Sequence, residues 1–180
     1  MTDYYKEFKE YFKDLSKTTS IYGGGSAVAL SFCIGCSLLQ KAINYSMASS
    51  NLLKLKSVIK ILENKKKVIG KIIDLDGAIF KKILVTKGKN KIKYLNKSEK
   101  LIKTIAFSCK EILSLANEVE SNIKKVILSD FYIGKEFIYL CLVGCVYNLE
   151  TNSQIFGYQS KNIKDLKVLR DNYGKDFRSK

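Results

Sequence analysis

Three consecutive glycines, Gly23, Gly24 and Gly25, lead into Ser26 and an uncharged run that lasts to Gln40. Glycine allows positive φ and close backbone approach, so the triplet reads as a sharp loop. Ser26 then reads as the N-cap of a helix running to about Met47, its hydroxyl accepting from a first-turn N–H. Ala27, Ser31 and Gly35 recur every four residues, a flat strip against which a second helix can lie closely. Loop, cap and helix N-terminus together leave several N–H donors at one spot, which suits an anion or the polar edge of a ring. The same pattern serves tight helix packing alone, and both readings stand at this point.

A chain of 180 residues with no proline and few strand-like alternations is expected to form one mainly helical domain, residues 1–180. The formal charge of +15 comes almost wholly from lysine, Arg170 and Arg178 being the only arginines. Such a balance can serve nucleic acid, a membrane surface or a small polyanion. Scattered lysines on helical faces favour a solvated surface, and two arginines leave little bidentate base reading. With no histidine, Ser-His-Asp and Cys-His machinery is excluded. Proton transfers must then fall to Asp, Glu, Lys, Tyr or water. Cys33, Cys36, Cys109, Cys141 and Cys145 read as small apolar core residues rather than as a metal site, and no metal is expected. The longest uncharged runs, 26–40 and 137–149, fall short of the roughly 20 residues that cross a bilayer. The N-terminal residues do not read as a signal peptide, so a cytoplasmic protein is expected.

Along the chain, Tyr4, Tyr5, Phe8, Tyr11, Phe12 and Leu15 mark an amphipathic first helix. Ser49, Ser50 and Asn51 supply a break after the second. Residues 52–86 are helical in period throughout, with Gly70 and Gly77 as weak points. Their apolar stripe, Leu62, Ile69, Ile72, Ile73, Phe80 and Ile83, is centred on Asp76, while Asp74 falls among the lysines. A carboxylate in a buried face is costly unless it is paired, protonated or used. It is either a proton-transfer group or an Asp satisfied by a helix end or a lysine. The lysine-rich 86–98 reads as a solvated loop, with Asn96 or Ser98 capping the next helix. Ser129 and Asp130 open a second nearly uncharged helix to about Asn152, and the tail from Lys161 forms a short docking helix.

Taken in order, Gly23-Gly24-Gly25-Ser26-Ala27, Asp76-Gly77-Ala78-Ile79-Phe80, Ser129-Asp130 and the later Asn148 and Asn152 resemble the cyclodeaminase/methenyltetrahydrofolate cyclohydrolase family. The family's domain is also found fused in formiminotransferase-cyclodeaminase. The likeness spans about Lys17 to Asn152. Tyr22 stands where the family usually has Pro, and Glu150 where Arg is common.

The resemblance implies an all-α, up-and-down antiparallel bundle of five to six helices that forms a homodimer. It implies a tetrahydrofolate derivative as substrate and a change in its one-carbon unit. Either water opens 5,10-methenyltetrahydrofolate to the 10-formyl form, or a formimino group cyclises and loses ammonia. By this likeness Asp76 is the acid/base, and Gly23, Gly24, Gly25, Ser26, Asn44, Ser129, Asp130 and Asn148 bind substrate. Asp130 and Asn148 lie about 27 Å apart along one helix, so one pterin reaches both only if two subunits share the site. The alternatives are a folate-binding or assembly protein on the same scaffold with catalysis eroded, and a basic helical nucleic-acid binder.

Overall fold

The computed structural model describes residues 3–47, 52–158 and 160–178. Among them are seven α-helices, two 3-10 turns and no strand: α1 (Tyr4–Leu15), α2 (Gly24–Ser46), α3 (Leu52–Gly70), α4 (Ile72–Val85), α5 (Gly88–Val119), α6 (Leu128–Phe156) and α7 (Ile163–Arg178). The break expected at Ser49, Ser50 and Asn51 lies outside the described residues.

Helix α2 is the axis of the bundle. Its small residues let α6 lie against it, antiparallel. A Cβ on Gly35 would stand 2.8 Å from the carbonyl oxygen of Gly134, and the Ser31 hydroxyl donates to the carbonyl of Phe137 at 3.1 Å. Further along, the Lys41 ammonium meets Asp130 at 2.6 Å. α3 also runs antiparallel to α2, with Gln40 donating to Glu63 and Lys66 to Gln40. By length and composition α2 would suffice to cross a membrane, which the uncharged run alone did not suggest. Here Phe32, Cys36, Leu39 and Ile43 of α2 are fully buried against other helices, so its apolarity serves the core.

Three local expectations differ from the structure. The continuous pattern of 52–86 is divided at Lys71, after the weak helix former Gly70, and the two halves follow α2 as α3 and α4. The lysine-rich segment is not a loop. Only Thr86 and Lys87 separate α4 from α5, which begins at Gly88 with a left-handed φ of 57°. Lysine is a good helix former, and Leu95 supplies the buried anchor against Ile79 and Ile83. Asn96 and Ser98 therefore lie inside α5 and cap nothing, and α6 starts at Leu128 with no side-chain cap from Ser129 or Asp130. α6 ends at Gly157, left-handed at φ 63°.

Cys36, Cys109, Cys141 and Cys145 are fully buried in the main core, with the Cys109 thiol 3.4 Å from that of Cys141. Burial pushes all four thiols up, so they are neutral packing groups. Cys33, the fifth, is only partly buried. Among the described residues no three His, Cys, Asp or Glu side chains are grouped to hold a metal ion.

Candidate functional site

The first turn of α2 carries the site. Gly23 is the N-cap, in extended conformation, and the Ala27 amide donates to its carbonyl at 3.0 Å. Ser26 is thus not the cap; it sits within the first turn, where a glycine N-cap leaves its hydroxyl free for another partner. Successive helical residues turn by about 100°, so Gly24, Gly25 and Ser26 each face a different element. Gly24 faces α6: a Cβ there would be 2.8 Å from the side-chain oxygen of Asn148. Gly25 faces α4: a Cβ would overlap all three atoms of the Asp76 carboxyl. Ser26, fully buried, faces α1, where its hydroxyl and that of Tyr11 share a hydrogen bond of 3.0 Å. Nothing stands within 4 Å of where a Cβ of Gly23 would be, so the end of the helix is open.

Gly77 explains how α4 comes so near. A Cβ on it would overlap the carbonyl oxygen of Ile21, so the loop before α2 passes directly over α4. The glycine read as a weak point in the helix is the one that admits this crossing. The Asp76 carboxyl is partly buried, and among the described residues no lysine or arginine pairs with it. Burial raises its pKa above the ordinary 3.8. Cys145 of α6, fully buried, is near enough for its thiolate to be disfavoured by the Asp76 charge. Asp74 is exposed and accepts from the Tyr22 hydroxyl at 3.2 Å, which raises the Tyr22 pKa.

The structure therefore brings Gly23, Gly24, Gly25, Ser26, Asp76 and Asn148 together. Asn44, Ser129 and Asp130 stand at the other end of the bundle, where Asn44 and Ser129 are exposed and Asp130 is paired with Lys41. Gly25 and Asn44 are 19 residues apart on α2, about 28 Å. Tyr11 and Cys145 are neighbours of the site that sequence reasoning read otherwise, as a helix-stripe residue and a core residue. Helical spacing did not set Tyr11 apart from the other aromatics of its helix, because it lies on the same stripe as Tyr4 and Phe8.

Residues 7–167 match the family model described as formiminotransferase-cyclodeaminase. The fold is similar to that in the crystal structure of formiminotetrahydrofolate cyclodeaminase from Thermotoga maritima, with a TM-score of 0.75 and 12% identity over 93% of this chain and 87% of that one. No curated protein matches the sequence.

Proposed function

The chain belongs to the formiminotransferase-cyclodeaminase family, and from that premise we propose that it hydrolyses 5,10-methenyltetrahydrofolate to 10-formyltetrahydrofolate with Asp76 as acid/base. The observation that carries this reading is the unpaired, partly buried carboxyl lying over Gly25 beside the open N-terminus of α2. Asp76 takes a proton from the water that adds to the methenyl carbon. It returns that proton to the ring nitrogen as the tetrahedral carbon opens, and the hydroxyl's remaining proton leaves to solvent as the formyl carbonyl forms. First-turn amides offer fixed donors to a polar ring edge or to the oxygen that gains charge. Asn148, across Gly24, supplies a donor and an acceptor to the same space. The scattered lysines suit the glutamate carboxylates of a folate.

The same carboxyl could protonate departing ammonia in formimino cyclisation, and one spectrum separates the two. Hydrolysis removes the methenyl chromophore from 5,10-methenyltetrahydrofolate, whereas cyclodeamination creates it from 5-formiminotetrahydrofolate. Purified protein is expected to bleach the first substrate faster than buffer does. A gain of signal with the second would make it a cyclodeaminase. No excess over buffer with either would retire the enzyme, and calorimetry with folic acid would then test the binding-only alternative.

We propose in addition that two copies meet on the outer face of α6. Ile133, Leu140 and Tyr147 are 48%, 59% and 59% exposed there, beside a shallow groove of about 410 Å³ that Phe137 and Val143 also line. Copies charged at +15 repel, and α6 carries one lysine, Lys135, which is buried against Glu120. This is the lysine-poor surface on which two copies can approach. A two-fold axis crossing the middle of α6 runs the two helices antiparallel. The Ser129–Asp130 end of one chain then lies beside the Asn148 end of the other, which gives both sets of residues a place at one site. Sedimentation equilibrium should show a dimer for the wild type and a monomer for Leu140→Asp. A monomeric wild type, or a variant that stays dimeric, overturns the arrangement.

A further inference from the structure

Helix α1 is amphipathic, yet none of its residues is fully buried. Tyr4 and Tyr5 are each 70% exposed, and Phe8 and Phe12 also face solvent. Among these aromatics Tyr11 is the exception. Its side chain is partly buried, its hydroxyl reaches the fully buried Ser26, and its ring meets Tyr22 edge-on at 5.7 Å between centroids and 64° between planes. Tyr22 in turn is held to α4 through Asp74, two residues from Asp76. A chain of contacts thus runs Ser26, Tyr11, Tyr22, Asp74. It closes one side of the first turn of α2, next to the side on which the Asp76 carboxyl lies.

Ser26 is fully buried and faces α1, so its hydrogen bond to Tyr11 pins the first turn of α2 to α1. Gly25, over which the Asp76 carboxyl lies, is the adjacent residue of that turn. The two tyrosine rings, set edge to face, also give this side of the turn an apolar aromatic border.

We propose that Tyr11 is a positioning residue of this site: its hydrogen bond to Ser26 holds the first turn of α2, and with it Gly25, in place against the Asp76 carboxyl, and with Tyr22 it forms an aromatic wall beside that turn. This rests on the folate reading above. It gives α1 a role at the site, and it gives Tyr22 a use there.

The test is steady-state kinetics on 5,10-methenyltetrahydrofolate with Tyr11→Phe, Ser26→Ala, the double variant and Tyr11→Ala, each checked by its melting temperature. Tyr11→Phe keeps the ring and removes only the hydroxyl. It should lower kcat about tenfold with KM nearly unchanged, as expected for one lost orienting hydrogen bond. Ser26→Ala should match it, and the double variant should fall no further than either, because both remove one shared interaction. Tyr11→Ala should in addition raise KM about tenfold, through loss of the wall. Tyr11→Phe within twofold of wild type in both constants overturns the proposal, as do effects that multiply in the double variant. So does a loss of kcat that tracks a fall in melting temperature across the set. A wild type with no turnover retires the folate reading and this inference together, and that result differs from an active wild type indifferent to Tyr11.

Discussion

Asp76→Asn is expected to lower kcat about 10³-fold, within the range seen for loss of a general acid or base. It should also make the protein more stable. The two effects have one cause. Desolvation raises the pKa of Asp76 in the folded protein above the ordinary 3.8. For an acid raised in this way the folded state holds its proton more tightly than the unfolded one. The native charge therefore costs nothing below pH 3.8, and the cost grows as pH rises from there to the folded pKa. Above that value it is constant. Asparagine carries no charge, so the variant's advantage should be present at neutral pH and vanish as pH falls toward 3.8. A gain of about 1 kcal/mol is typical of relieving a functional site. In a chain of this length it raises Tm by about 2–4 °C. The wild-type kcat/KM should rise with pH through the same titration, since the carboxylate is the form that takes a proton from water, and the variant should lose that limb. Thermal melts at several pH values with matched kinetics check both halves. An active Asp76→Asn enzyme would remove Asp76 from the chemistry, and a variant less stable at neutral pH would overturn the desolvation account.

Gly25→Ala should cost about 10² in kcat/KM while changing stability little. Its Cβ would overlap every atom of the Asp76 carboxyl, so the acid must swing away from the end of α2. A displacement of about 1 Å in a reacting group is enough for a hundredfold loss. Stability is pulled both ways. Overpacking costs about 1–3 kcal/mol. Alanine in place of glycine in a helix returns about 1 kcal/mol. The Asp76 side chain is also partly exposed and can relieve the overlap by rotating. Kinetics and denaturant unfolding on the same preparation decide the matter. If Gly25→Ala loses several kcal/mol of stability and keeps its kcat, the glycine serves packing alone.

Several features of the molecule could be read without coordinates. Periodicity acts along the chain, so the apolar stripe from Leu62 to Ile83 located Asp76 on its inner side and put Asp74 outside. Ala27, Ser31 and Gly35 announced close helix packing because the strip they make exists before any partner arrives. What failed was local punctuation. Ser26 has the chemistry of a cap but sits inside the first turn, since Gly23 takes the cap and Tyr11 takes the hydroxyl. Lysines 89, 91 and 93 look like a loop until Leu95 is seen to anchor their helix. In each case the deciding partner lies on another element.

The sequence alone determined an all-α chain, its two sparsely charged helices and the one acid out of place on an apolar face, because composition and a period of 3.6 residues act along the chain. The tertiary structure decided which of the nine anticipated positions share a site. It set Asp76 and Asn148 around Gly24 and Gly25, added Tyr11 from α1, and left Asn44, Ser129 and Asp130 at the far end. The physical reason is rigidity. A helix advances about 1.5 Å per residue, so residues of one long helix cannot gather at a point, and only crossings between helices bring side chains together.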